Sequence, residues 1–202
     1  FLDNAMLLYS GFLVWLPAML ALAFVIVYKH SWRQWLPVMG MLAVVFTLSA
    51  LLSSGITKPL FGRLRPIYYT DIMDQVRTLY THTGGIYGFI SGHTTHTFGF
   101  AVATSLLFRN RWYTLVILLW ATIMGFSRIY LGMHFVTDII GGMVIGSLVG
   151  WFAYILYRSY TDRRPQTAVC YGKRRISRFA LMLTAYIFLF SAFGGLLVKV
   201  LV

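Results

Sequence analysis

The chain has 202 residues, of which 59% are hydrophobic and 11% are charged, and its formal net charge is +12. Soluble domains carry about 25% charged residues, so this composition excludes a water-soluble fold and predicts that lipid faces much of the surface. The basic residues lie in short clusters between apolar stretches. That pattern is typical of segments that set topology and touch anionic lipids, so nucleic acid is not predicted as a partner.

Residues 1–10 are too short to cross a bilayer and are predicted to form an interfacial amphipathic helix, with Leu2, Met6 and Tyr9 on one face. Six longer apolar stretches follow, each near the ~20 residues that a spanning helix needs. They cover residues 11–28, 35–56, 91–108, 113–132, 135–157 and 179–200. None alternates as a barrel strand does. The sequence therefore predicts one all-α domain, residues 1–202, a polytopic membrane protein with six transmembrane helices.

Basic residues are unevenly divided between the two ends of these predicted helices. The connections 29–34, 109–112 and 158–178 hold eleven lysines and arginines, whereas the opposite end holds six. The positive-inside rule predicts that the first end is cytoplasmic. Both termini and the polar motifs described next would then lie on the extracytoplasmic side.

The second apolar stretch runs into a basic motif, residues 58–66, with the sequence KPLFGRLRP. Lys58 and Arg65 are seven residues apart, about two helical turns, so one helical face could present both. Pro59 favours a local break in such a helix. The third stretch opens with Ser91-Gly92-His93, where backbone N–H groups and the helix dipole favour an anion.

Arg128, His134 and Asp138 lie near the junction of the fourth and fifth stretches. An ionisable residue such as Asp138 in an apolar run is costly and predicts a function. A helix would place His134 and Asp138 on one face. The carboxylate would then fix the imidazole tautomer and leave the other ring nitrogen as a nucleophile. His93 could protonate a leaving oxygen.

Arg128, Lys58 and Arg65 together would form a cationic cage around an oxyanion, which is what phosphoryl transfer requires. The sequence offers no carboxylate cluster suited to magnesium and no thiol pair suited to zinc. Neither a metal nor a cofactor is predicted.

The order and spacing of these motifs resemble the three-part signature of the type 2 phosphatidic acid phosphatase (PAP2) superfamily, over about residues 35–157. The resemblance implies that His134 attacks phosphorus to form a phosphohistidine, that His93 protonates the leaving group and that Asp138 orients the nucleophile. Ile90 stands where the family usually has proline. The residues that the resemblance assigns to phosphate binding are Lys58, Arg65, Ser91, Gly92 and Arg128.

The resemblance also implies a reaction: metal-independent hydrolysis of a phosphate monoester or pyrophosphate on a membrane lipid. The family acts on phosphatidic acid, phosphatidylglycerol phosphate, undecaprenyl pyrophosphate and lipid A. Architecture and resemblance together predict a bacterial inner membrane, with the active site on the periplasmic side. The predicted partners are the lipid substrate and the bilayer, and no obligate protein partner is indicated.

Four further residues are candidates for head-group contacts. Simpler interpretations are that His82 is a loop histidine, that His96 is a structural helix residue and that Arg63 is a solvated loop charge. The four candidates are His82, His96, Arg63 and Tyr68.

Three glycines, Gly142, Gly146 and Gly150, recur every four residues in the fifth stretch. This spacing predicts a close helix-packing seam rather than a chemical role.

Two functions of other classes remain open at the level of the sequence. A haem-binding electron-transfer bundle could use two of His93, His96 and His134 as axial ligands, but it leaves the three cations unexplained. A non-hydrolytic phosphate or lipid transporter could use the same cations, but it does not need the His134–Asp138 pair.

Overall fold

The computed structural model describes residues 2–76 and 85–201, with side chains at 2–11, 13–76 and 85–190. Within these ranges the regular structure is helical, apart from one isolated antiparallel bridge between Leu64 and Tyr87. The predicted all-α class is confirmed. The main helices are α1 (Leu2–Ser10), α2 (Phe12–Val27), α3 (Trp32–Ala50), α4 (Lys58–Phe61), α5 (Gly92–Phe108), α6 (Arg111–Tyr130), α7 (Val136–Asp162) and α8 (Lys173–Leu201).

The helix starts follow local capping chemistry. At the start of α3, the backbone N–H of Ser31 donates to Gln34 Oε1 at 3.0 Å, as in a capping box. Asn110 Oδ1 accepts the N–H groups of Trp112 and Tyr113, at 3.0 and 3.1 Å, and so begins α6. These caps satisfy backbone donors that a helix leaves without an internal partner.

Three described helical segments are long and apolar enough to cross a membrane: Trp32–Phe61, Arg111–Tyr130 and Val136–Asp162. A fourth span results if α1 and α2, bent by 50°, are counted as one broken span. With 16 and 17 residues, α2 and α5 are individually shorter than the ~20 residues of a straight span. The count of six spans therefore stays a prediction.

Helix α1 exists as predicted, but its buried face differs from the predicted one. Tyr9 is buried against Trp15 and Phe190, whereas Leu2 is exposed, so these two residues do not share an apolar face. The phenol of Tyr130 donates to Asp3 Oδ1 at 2.7 Å and joins α1 to α6. Tertiary packing against α2, α6 and α8 thus decides which side of α1 is buried. Its position in the membrane interface stays a prediction.

The predicted glycine seam is confirmed and holds α5 directly against α7. A Cβ at Gly146 would collide with the backbone carbonyl of Thr95, and one at Gly150 with the carbonyl of Gly99. Because the contacts advance along both helices in the same direction, α5 and α7 are parallel. Their N-termini therefore lie at the same end of the bundle.

Helix α3 runs the other way, since Gly99 packs on Val45 while Gly92 packs on Ser53. The end of α3 that leads into Lys58 consequently meets the N-termini of α5 and α7. This arrangement brings the three sequence motifs to one end of the molecule.

Substituting Gly146 with alanine should destabilise the protein, because the added methyl group meets backbone that cannot move aside. We expect a loss of about 1–3 kcal/mol, as for other overpacked interiors, measured by thermal denaturation in detergent. Gly40→Ala is the matched control, because a Cβ at Gly40 meets no heavy atom of the described residues within 4 Å. Equal melting temperatures for the two variants would contradict the seam.

Candidate active site

The basic motif lies where the long α3 segment ends. A π-helical turn, Leu51–Thr57, connects α3 to α4, and α4 ends at Gly62, whose φ of +55° favours glycine. Pro59 lies in the first turn of α4, where its missing N–H is tolerated. Arg65 follows the break, so the prediction that Lys58 and Arg65 share one helical face is wrong. The predicted break is present, and Gly62 provides it.

After the break, residues 63–65 are held by an extended segment that precedes α5. The N–H of Arg65 donates to the carbonyl of Ile86 at 3.1 Å, and the N–H of Gly88 donates to the carbonyl of Arg63 at 2.8 Å. These backbone bonds fix the direction of the Arg65 side chain independently of any helix.

Two buried arginines face the same cavity from different elements. Arg65 and Arg128 are only 6% and 5% exposed. Arg65 Nε donates to the carbonyl of Tyr87 at 3.3 Å. Among the described residues, Arg65 Nη1 and Arg128 Nε have no hydrogen-bond partner. Because an unpaired buried charge is costly, this pair of guanidinium groups favours an anionic ligand.

Lys58 adds a third cation to this wall of the cavity. Its ammonium group is half-buried and lies 3.3 Å from Ser54 Oγ, one helical turn earlier. The predicted convergence of Lys58, Arg65 and Arg128 is therefore present.

His134 and Asp138 are in contact, but not on one helical face. Helix α7 begins at Val136, so His134 lies in the turn before it and reaches back to Asp138, with Nδ1 3.3 Å from Oδ2. The N–H of Phe135 donates to the same oxygen at 3.0 Å. With Nδ1 engaged, Nε2 of the imidazole is the nitrogen available for reaction.

His134 is almost completely buried. Burial lowers the pKa of His134 below its usual value, and the hydrogen bond to Asp138 acts in the opposite direction. The lowered pKa favours the neutral ring, which is the state that a nucleophile requires.

Arg63 completes the surroundings of Asp138. Its Nη1 donates to Asp138 Oδ1 at 3.0 Å and to Thr137 Oγ1 at 2.6 Å, and the guanidinium lies 4.4 Å from the centre of the Phe135 ring. The side chain is 33% exposed. The interpretation of Arg63 as a solvated loop charge is wrong, because the break at Gly62 turns it towards α7. Nothing in the spacing of the motif indicates this ion pair.

The Ser91-Gly92-His93 motif opens α5 as predicted, with its residues in different places. Ser91 is fully buried, accepts a hydrogen bond from Thr94 Oγ1 at 3.1 Å, and donates its N–H to the carbonyl of Asp138 at 3.1 Å. It does not line the cavity, whereas Gly92 and His93 do. Ser91 therefore connects the start of α5 to Asp138 without lining the cavity, whereas the first turn of α5 faces an incoming anion.

The cavity has a volume of about 580 Å³ and two chemically different parts. Its apolar part is built from side chains of α2, α3, α5 and α6. None of the sequence motifs indicated that these side chains belong to the site. The polar part contains Lys58, Arg65, Gly92, His93, Arg128 and His134, and the apolar part contains Trp15, Met19, Phe46, Phe100, Trp120 and Met124. The site can thus hold an oxyanion at one end and hydrocarbon at the other.

The remaining candidates for head-group contacts are distributed unequally. His96 lines the cavity, with Nδ1 2.6 Å from the carbonyl of Gly92 and its ring stacked 5.8 Å from Phe46. Tyr68 lies in a short turn after Arg65 and does not line the cavity. Arg63 does not line it either. His82 lies outside the described residues.

Comparison with known proteins identifies the family. Residues 37–162 match the family described as the PAP2 superfamily. Over 99% of its length the chain is 36% identical to a lipid A 4'-phosphatase of Porphyromonas gingivalis, covering 87% of that protein. Over 86% of its length it is 31% identical to a lipid A 4'-phosphatase of Bacteroides thetaiotaomicron, covering 77% of it.

A solved structure has the same fold. It is a transmembrane PAP2-type phosphatidylglycerolphosphate phosphatase from Bacillus subtilis, 22% identical, with a TM-score of 0.57. The similarity covers 81% of this chain and 78% of that one. The two chains thus share one fold.

The two buried arginines should make the cavity a site for a tetrahedral or trigonal-bipyramidal oxyanion. Orthovanadate should raise the melting temperature of the detergent-solubilised protein. Arg128→Gln should weaken that binding about tenfold or more, since it removes a charge-assisted hydrogen-bond donor.

Arg111→Gln is the control, because Arg111 is an exposed arginine at the other end of α6. Unchanged vanadate affinity in Arg128→Gln, or an equal loss in Arg111→Gln, would show that the anion binds elsewhere.

Proposed function

Because the chain belongs to the PAP2 superfamily, we propose that it hydrolyses the 4'-phosphate of lipid A, without a metal ion. The observation that carries the proposal is that the buried Arg65 and Arg128 and an apolar wall line one cavity. The two lipid A 4'-phosphatases support this substrate, because their similarity extends well beyond the motifs to most of the chain. The undecaprenyl-diphosphatases of Bacillus subtilis and Sulfolobus acidocaldarius are less similar: they are 31% and 25% identical over 41% and 70% of the chain.

The shape of the cavity supports a substrate that remains anchored in the bilayer. Phe46 lines the apolar wall yet is 44% exposed on α3. Met19 of α2 also lines the wall. A lipid can therefore enter sideways past Phe46, with an acyl chain along the aromatic wall and its phosphate among the cations.

In the proposed first step, Nε2 of His134 attacks phosphorus, and the bond between phosphorus and the sugar oxygen breaks. His93 gives its proton to that oxygen, so the lipid leaves as an alcohol. Lys58, Arg65 and Arg128 stabilise the charge on the three equatorial phosphate oxygens. Asp138 stabilises the positive ring by accepting the hydrogen bond that Nδ1–H of His134 donates.

In the second step, water attacks the phosphohistidine, and the bond between phosphorus and Nε2 breaks. His93, now neutral, accepts a proton from that water and returns to its starting state. Inorganic phosphate leaves, and His134 is neutral again. No electron transfer and no further reactant are needed.

We propose that the site faces the periplasm from the inner membrane of a bacterium. The basic connections 29–34, 109–112 and 158–178 lie at the opposite ends of α3, α6 and α7 from the motifs. If the positive-inside rule applies, that opposite end is cytoplasmic. Lipid A phosphates on the periplasmic leaflet would then reach the site without crossing the bilayer.

The direct test is release of phosphate from a lipid panel: lipid A, undecaprenyl pyrophosphate, phosphatidylglycerol phosphate and phosphatidic acid. We expect lipid A lacking the 4'-phosphate as the main product, identified by mass spectrometry, with undiminished rates in EDTA. His134→Ala should reduce the rate by about a thousandfold or more, as expected for a lost covalent nucleophile.

His30→Ala is the control, because His30 follows α2 at the other end of the bundle. Preferred cleavage of another lipid would overturn the substrate assignment. Full activity of His134→Ala, or complete loss in EDTA restored by Mg²⁺, would overturn the mechanism.

Arg63 should act as a positioning residue, because it holds Asp138 and does not line the cavity. Arg63→Gln should lower kcat on the order of 10- to 100-fold, by analogy with other groups that orient a reactive imidazole indirectly, while KM changes little. Arg63→Lys should restore part of kcat. A rise in KM with unchanged kcat would instead mean that Arg63 binds substrate.

A further inference from the structure

A second cavity, of about 500 Å³, lies at the opposite end of the bundle from the active site. It is a groove between the first half of α3 and the last part of α7, and the turn after α7 lines its mouth. Because α3 leads to Lys58 and α7 begins near Asp138 at their other ends, this groove is separate from the substrate cavity. We call it the α3–α7 groove.

Gly40 keeps the α3–α7 groove open. It lies in the middle of α3, where glycine costs about 0.5–1 kcal/mol relative to alanine. Yet a Cβ at Gly40 would meet no heavy atom of the described residues within 4 Å. The seam glycines, by contrast, press on neighbouring backbone. Helix packing therefore does not account for a glycine at position 40. Space for a ligand against α3 does account for it.

The mouth of the groove is positively charged and aromatic. Arg33 and Arg164 both line it, with their guanidinium groups 5.4 Å from the ring centre of Trp32 and 4.5 Å from that of Tyr160. No acidic residue lines it. Tryptophan and tyrosine typically lie at the head-group level of a membrane, where arginines meet lipid phosphates.

Below this mouth the groove becomes apolar. Leu36, Gly40 and Val44 follow one another at helical spacing along α3, and Ala153 and Leu156 face them from α7. The cations are thus at the predicted cytoplasmic interface, and the apolar strip points into the bilayer. A free phosphate ion would leave this strip unused.

We propose that the α3–α7 groove binds one anionic phospholipid. Its phosphate contacts Arg33 and Arg164, and one acyl chain lies over Gly40 between α3 and α7. This lipid is a bound component of the membrane and no substrate, because His93 and His134 lie at the other end of the bundle. It would join α3, which leads to Lys58, to α7, which carries Asp138.

The test is native mass spectrometry, with melting temperatures, of the full chain in non-ionic detergent titrated with phosphatidylglycerol, phosphatidylcholine or glycerol phosphate. Phosphatidylglycerol alone should bind tightly, at one molecule per chain, and raise the melting temperature. The double variant Arg33→Gln/Arg164→Gln should bind it roughly tenfold or more weakly, since each basic residue near a head group contributes about a factor of five.

Three controls separate the groove from other sites. Arg111→Gln/Arg163→Gln removes the same charge outside the groove and should bind normally. Gly40→Leu should fill the groove and abolish binding, whereas Ala43→Leu, which adds bulk on an exposed face of α3, should not. Arg128→Gln should leave binding intact, which excludes the substrate cavity.

Equal binding of phosphatidylcholine, binding of glycerol phosphate that the Arg33→Gln/Arg164→Gln variant weakens, or normal binding by Gly40→Leu would each overturn the proposal.

Discussion

The buried carboxylate of Asp138 is the contact on which the site depends. One oxygen meets His134 Nδ1 and the N–H of Phe135, and the other accepts from Arg63. Its backbone carbonyl accepts the N–H of Ser91. A fully buried carboxylate is stable only with such partners. Since these partners belong to all three motifs, the side chain and the backbone carbonyl of this one residue together fix the relative positions of nucleophile, phosphate-binding turn and basic loop.

The glycine seam allows the three motifs to meet at one end of the bundle. Because α5 and α7 are parallel and in backbone contact, the N-termini of both face the site, with their partial positive charge. Lys58, at the start of α4, and Arg128, near the C-terminal end of α6, reach the same place. The result is a strongly cationic pocket within an apolar bundle, where an oxyanion would supply the hydrogen-bond partners that Arg65 and Arg128 lack among the described residues.

Features set by local chemistry were predictable from the sequence: the helical stretches, the Gly142–Gly146–Gly150 seam and the meeting of His134 with Asp138. Features that depend on turns and on tertiary packing were not predictable from the sequence. Because the helix ends at Gly62, Arg65 is not helical and Arg63 lies against Asp138. The spacing of residues in the motif predicts neither feature. The aromatic wall needs Trp15 of α2 and Trp120 of α6 within 5.5 Å, a tertiary contact between helices distant in sequence. The catalytic roles themselves stay predictions.

The most direct test of the account is to identify the covalent intermediate. Lipid A labelled with ³²P at the 4'-position would be mixed with excess enzyme, quenched in alkali within a single turnover and digested for mass spectrometry. The account predicts that the label is on a ring nitrogen of His134. Label on any other residue, or full turnover with no labelled protein at any quench time, would contradict it.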